Sequence, residues 1–489
     1  MLSFDPNKVV LPAGQFINGV YCQGKGAAFA VKRPSDGKVA GELYEADAEQ
    51  VGEAVTLADH AAKASGWASC PPRERGAVLR RWADLIAADG TLAQLEALVS
   101  TRPIADVINH ELPFTAEAIR FYAECADKYS GDLLPTRDAS LGMLVPEPYG
   151  VIGAITPWNF PLSMASWKCG PALAAGNAVV LKPSELTPYS TLRMAELAIQ
   201  AGLPAGVLNI VQGSGAVTGS ALVAHPLVRK VSFTGSTQTG ARIMSDAAFN
   251  GMKPVTLELG GKSPQLVFDD AGDPDVVADR ILRGFTANGG QACVAGTRLI
   301  VQRGIADALI EKLIARCAAF QPGVTWDEST RYSPLINARQ AEKVASVVQA
   351  AVQAGGEILT GGQRFAGTGD GYFWQPTLLA NVSTDSPAVQ EEIFGPVLTV
   401  QRFDDEAEGL ALAAHATYGL CAGVHTLSLA RALRAMRGLA AGTVWINRYG
   451  RSGDFIIPTG GFHGSGIGKD LGRQAFEACQ RHKSVLIDF

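Results

Sequence analysis

The sequence predicts an α/β protein of two parallel-sheet domains with a small β extension. Three observations carry this. Between residues 150 and 260 short β-rich runs alternate with amphipathic stretches, and a second alternation runs from Gln265 to Asn447. Strand, helix, strand repeated in this way implies crossovers and parallel sheets, which bind ligands beyond the carboxyl ends of their strands. Two segments, Ser130 to Pro148 and Gly472 to Phe489, end in β-prone runs (Leu141 to Val145 and Ser484 to Ile487) and fit neither alternation.

In chain order, residues 46 to 130 are rich in Ala, Leu, Glu and Arg and read as helices. The first sheet is expected from Gly150 to Ile155, Ala178 to Leu181, Val207 to Val211, Lys230 to Phe233 and Val255 to Leu257, with a helix from Ser190 to Ala201. The second is expected from Arg298 to Val301, Val397 to Phe403 and Thr443 to Ile446, with helices over Ile305 to Phe320, Ala338 to Ala354 and Ser428 to Leu439. Tyr149 to Trp167 carries no charge, but Pro157, Asn159 and Pro161 interrupt it, so it reads as a buried strand and turn leading into a helix rather than a membrane span.

At 489 residues the chain is too long for one core, and about three structural units are expected. Apolar residues at 47% against 18% charged indicate a globular protein, and a net charge of -5 without dense Lys/Arg runs argues against nucleic-acid binding. Asp5, Asn7 and Lys8 stand where an export peptide needs an unbroken apolar stretch. The eight cysteines show neither CxxC pairs nor zinc spacing, so no metal site is expected and a reducing cytoplasm is.

Four short stretches carry chemistry. Phe233-Thr234-Gly235-Ser236-Thr237-Gln238-Thr239-Gly240 follows a strand and opens a helix, where a Gly/Ser turn lets backbone approach a pyrophosphate; alone it reads as well as an ordinary strand-to-helix turn. Leu181-Lys182-Pro183-Ser184-Glu185 puts a lysine and a carboxylate at another strand's end, suited to ribose hydroxyls or merely solvated. Leu257-Glu258-Leu259-Gly260-Gly261-Lys262 sets a carboxylate between leucines, an apolar setting that raises its pKa toward general-base range. Asn288-Gly289-Gly290-Gln291-Ala292-Cys293-Val294 places one cysteine among small residues, although a free thiol is only a few per cent thiolate at neutral pH and needs local activation.

With Pro157-Trp158-Asn159-Phe160-Pro161 and Glu391-Glu392-Ile393-Phe394-Gly395-Pro396, these motifs stand in an order that resembles the aldehyde dehydrogenase superfamily over nearly the whole chain. The resemblance implies a Rossmann-like dinucleotide-binding domain over 1–129 and 149–258, a catalytic domain over 259–471, and oligomerisation segments at 130–148 and 472–489, giving a homodimer or homotetramer. It implies Cys293 as nucleophile, Glu258 as general base for thioester hydrolysis and Asn159 as oxyanion donor beside the Cys293 N–H. The cofactor set it implies is Thr156, Trp158, Lys182, Ser184 and Glu185 with Phe233, Gly235, Ser236, Leu259, Glu392 and Phe394. Because Glu185 would face a 2′-phosphate, NAD is expected to be preferred and NADP tolerated.

For the substrate, a small-molecule aldehyde, the resemblance places Phe160, Met164 and Trp167 on one helical face beside Ala292, Cys293 and Val294; an apolar tunnel with a more polar mouth near Asp454 and Thr459 is expected, accepting medium-sized aldehydes better than acetaldehyde. Thr459 stands where many members carry Phe, and Gly289 where many carry glutamine, so no particular substrate is transferred. An acylating relative is disfavoured because a water-activating Glu258 would be idle there, and a cysteine hydrolase lacks a histidine motif beside Cys293. A non-catalytic protein of the same fold is disfavoured by retention of Cys293, Glu258 and Asn159 together.

Overall fold

The structure, a computed structural model, describes residues 2–489 and contains both expected sheets. Five parallel strands form the centre of the first: β1 (Val151–Ile155), β2 (Ala178–Lys182), β3 (Leu208–Ile210), β4 (Val228–Thr234) and β5 (Val255–Glu258). Their spatial order is β3-β2-β1-β4-β5. Strand order therefore reverses between β1 and β4, and a crevice opens beyond the carboxyl ends there. Because side chains alternate across a sheet, Ile152, Ala154, Val179 and Leu181 join one core and Val151, Ile155, Ala178 and Val180 the other. Helices Pro72–Ala88, Leu112–Cys125, α1 (Pro161–Ala174) and Tyr189–Gln200 cover the first core; Ala48–Ala64 and α2 (Thr237–Phe249) cover the second.

Two short antiparallel additions were not legible in the sequence. The hairpin Gln15–Ile17/Val20–Cys22 turns through Asn18 and Gly19, both at positive φ, and adds beside β3 through Phe16 and Ile210. At the other edge Gly466–Ile467 pairs with β5, opposite Glu258 and Leu257, although the boundaries drawn above put residue 466 in the second domain. A two-residue strand has no periodicity to announce it.

The second sheet comprises β6 (Pro264–Val267), β7 (Arg298–Gln302), β8 (Thr377–Ala380), β9 (Val397–Phe403), β10 (Cys421–His425) and β11 (Thr443–Ile446). They run parallel in the order β8-β9-β7-β6-β10-β11, with Glu357–Thr360 antiparallel outside β8. The helices lie at Arg303–Ala318, Ala338–Gln353 and Leu429–Gly438. The two misfit segments meet each other: Gln480–Asp488 pairs antiparallel with Ser140–Pro148, and Asp132–Leu134 pairs on its far side.

Candidate active site

Beyond β1 the chain runs Thr156 to Phe160 and enters α1 with Pro161 in its first turn, where a missing N–H removes nothing. That turn fixes Asn159, which is buried and donates through Nδ2 to Gln291 O at 2.9 Å. The contact sets the amide's orientation, because only its nitrogen can face a carbonyl, and leaves its second N–H for another acceptor. The turn is fastened from the other side as Asn288 Nδ2 donates to Asn159 O at 2.9 Å.

The cysteine loop owes its shape to three successive left-handed residues, Asn288 (φ 54), Gly289 (φ 61) and Gly290 (φ 73). Asn and Gly tolerate that region best. Gly290 also passes so close to the 391–396 segment that a Cβ would stand 2.3 Å from Gly395 O. Gln291, fully buried, braces the loop by donating to Asn288 O and Pro334 O at 2.9 Å each. Cys293 then emerges partly accessible, with its thiol pushed up to about 12 by burial, by Glu258 and by Glu392, while Arg451 opposes the shift.

Glu258 ends β5 and is buried. Burial raises its carboxyl to about 8, the Asp470 charge adds to the rise, and Lys168 and Arg451 oppose it. Lys168 on α1 pairs with Asp470 at 2.9 Å and donates to Ser232 at 3.1 Å, both charged side chains being buried. Asp470 N also donates to Glu258 Oε1 at 3.4 Å.

Two spaces meet at the thiol. A cavity of about 340 Å³ is lined by Phe160, Met164, Trp167, Ala292, Cys293 and Val294, and also by His110, Glu111, Phe114, Arg283, Tyr449 and Arg451. A cleft of about 220 Å³ on its other side is lined by Trp158, Asn159, Gly235, Ser236, Cys293, Glu392 and Phe394, joined by Thr234, Gln340 and Lys343. Cys293 belongs to both. Phe394 holds φ 58, a strained conformation for an aromatic residue, and meets the Trp158 ring edge-on at 5.2 Å.

The cleft has features of a dinucleotide site. A Cβ at Gly235 would lie 2.4 Å from the Phe233 ring, so backbone stays open there, and Ser236 caps α2, whose N-terminal partial charge favours a phosphate. The hydroxyls of Thr156 and Thr234 are buried without partners. Phe233 lines an adjoining space of about 210 Å³ with Ile155, Gly219 and Ile243. Lys182 runs beside Gly219, donates to Pro183 O at 2.8 Å and pairs with Glu185 at 3.6 Å; burial lowers its pKa. Ser184 is buried, its hydroxyl accepting from Leu186 N at 3.3 Å. Leu259 seats α2, lying 2.4 Å from a Cβ at Gly240, and Glu392 accepts from Gly261 N at 2.9 Å.

Asp454 and Thr459 depart from expectation. Both line a separate space of about 230 Å³ against β11, and Arg451 is the wall between that space and the Cys293 cavity. The cause is backbone pairing: Thr459 bridges Asp470, which ties it to the loop behind Glu258, while its hydroxyl accepts from Arg451. Asp454 is exposed and takes a hydrogen bond from Ser452. The sequence reading missed Phe114 and Arg451, Lys168 and Asp470. The first two lie far apart in the chain, although the charged 448–454 loop was a visible signal.

Residues 21–485 match the aldehyde dehydrogenase family. The chain is 42% identical over 476 residues to an aldehyde dehydrogenase of Emericella nidulans, covering 97% of this chain and 95% of that one. It is similar to a P. syringae indole-3-acetaldehyde dehydrogenase solved with NAD+ and IAA, at TM-score 0.96 and 38% identity over 99% of this chain and 98% of that one. It is similar also to a gamma-glutamyl-gamma-aminobutyraldehyde dehydrogenase of Burkholderia cenocepacia, at TM-score 0.96 and 41% identity over 99% and 98% of the two chains. The chain belongs to the aldehyde dehydrogenase family. It is an NAD(P)-dependent oxidoreductase that converts an aldehyde to the carboxylic acid.

Proposed function

We propose that Cys293 is the nucleophile, Glu258 the general base and Asn159 the oxyanion donor of this oxidation. The observation that carries the reading is that Cys293 lines both the substrate-sized cavity and the dinucleotide cleft. The Cys293 thiol loses its proton to water, a loss that the Arg451 charge favours; the thiolate adds to the aldehyde carbon, and the oxygen, now negative, is held by the free N–H of the Asn159 amide and the Cys293 backbone N–H. As the carbonyl re-forms, a hydride leaves the carbon and a thioester remains on Cys293. Nicotinamide, when bound, supplies the hydride acceptor. Glu258 as carboxylate then takes a proton from water, the resulting hydroxide adds to the thioester, and the thiolate leaves as the acid forms.

NAD is the preferred cofactor in this reading. Glu185 would accept hydrogen bonds from the adenosine ribose hydroxyls and would repel a 2′-phosphate, while Lys182 is already paired with Glu185 and the Pro183 carbonyl. Medium-sized aldehydes fill the aromatic cavity better than acetaldehyde. The terminal sheet pairs with a second copy, giving a dimer or tetramer. Stopped-flow mixing tests the division of labour: Glu258→Gln should give an NADH burst followed by slow turnover, and Cys293→Ala no burst. Turnover of Glu258→Gln at the wild-type rate would remove Glu258 from its role.

A further inference from the structure

We propose that this enzyme acts on aldehydes carrying a carboxylate at their far end, ω-oxo acids, and that Arg451 recognises that carboxylate; this rests on the reading of Cys293 as nucleophile. Much of the Cys293 cavity's lining is apolar, with Phe114, Phe160, Met164 and Trp167, and suits a methylene chain. Its charged lining is unbalanced. Glu111, its one carboxylate, is already engaged by Ser163 N at 3.1 Å and by Arg102 at 3.9 Å. Arg283 and Arg451 line the same cavity, and neither forms an ion pair among the described residues. Elsewhere a comparable half-buried arginine, Arg431, is matched by Asp270 and Glu406 at 2.8 and 3.6 Å.

Arg451 is also held in place. Its guanidinium lies 4.9 Å from the centroid of Trp167 and donates to the Thr459 hydroxyl. A partly buried guanidinium without an anion is poorly compensated, and its planar fork matches a carboxylate with two parallel hydrogen bonds. A bound oxo acid would supply that anion while its aldehyde reaches Cys293. Arg451 also opposes the upward shifts of Cys293 and Glu258. If that were its sole use, every aldehyde would feel its loss equally.

The test uses chain-matched pairs, succinic semialdehyde against butanal and adipic semialdehyde against hexanal. Wild type should favour each oxo acid in kcat/KM by about tenfold or more, the scale of one charge-assisted hydrogen bond. Arg451→Leu should collapse that ratio mainly through KM, and Arg451→Lys should keep an intermediate one. Added salt should lower kcat/KM for the oxo acids and leave the alkanals unmoved in the wild-type enzyme, a reading that stands even if the variants fail to fold. A wild-type preference for the alkanals, or a kcat loss in Arg451→Leu that is the same for both members of a pair, would overturn the proposal. NADH formation by Cys293→Ala at the wild-type rate would instead overturn the assignment of Cys293.

Discussion

Cys293 and Glu258 are both held in their neutral forms by the surroundings that make them useful. Burial, then neighbouring carboxylates, puts the thiol near 12 and the Glu258 carboxyl near 8. At pH 7 most Glu258 is protonated and unable to take a proton from water; it ionises as pH rises through about 8. The hydrolysis-limited kcat should therefore rise across that interval. Asp470→Asn removes a raising charge and leaves Lys168 uncompensated, so the midpoint should move down; a flat profile, or a midpoint moving up, would contradict the account. Cofactor choice is testable at Glu185, where Glu185→Gln should narrow the ratio of kcat/KM for NAD over NADP. A wild type favouring NADP, or a ratio the substitution leaves unmoved, would show that Glu185 does not select. Cys293, Glu258 and Asn159 stood out as candidates because each sits in a motif of unusual composition. Arg451, Lys168 and Asp470 were not, since their partners are brought to them only by the folded sheets.

Among elements, the 288–290 turn has the sharpest requirement. Three left-handed residues in succession put Gly290 against the 391–396 segment, so the cysteine loop and the cofactor-cleft wall are fitted to each other. Gly290→Ala would bring a Cβ to 2.3 Å from Gly395 O in a conformation strained for alanine. The fold should survive with a loss of about 1–3 kcal/mol in stability, while activity and dinucleotide affinity fall together. Unchanged cofactor affinity by titration would argue that the two segments are independent. The central strands were legible as continuous apolar runs, which parallel strands covered on both faces need to be. The π turn Val107–Glu111 was not: Pro113 cannot donate its i−4 bond, and Leu112 N reaches back to Val107 O instead. Nothing in hydrophobic spacing marks such a turn.

The molecule as a whole brings the crevice at the β1/β4 reversal of one sheet against loops of the other, so that Asn159 and Glu258 come from the first sheet's side and Cys293 from the second's. Its third sheet leaves Gln480–Asp488 as a long edge strand, with Leu133, Leu486 and Phe489 at 72%, 68% and 80% exposure. An edge of that length is ordinarily paired or covered. Light scattering should show a dimer or tetramer at micromolar concentration, and a stable monomer would remove the pairing proposal. The central claim, that oxidation passes through an acyl group on Cys293, is tested most directly by intact-mass and peptide mass spectrometry. Glu258→Gln should be mixed with NAD and aldehyde and quenched after the NADH burst. The account predicts that the Cys293 peptide gains the mass of the acyl group in proportion to the NADH formed; NADH formation with no adduct on Cys293, or with the acyl group on another residue, would contradict it.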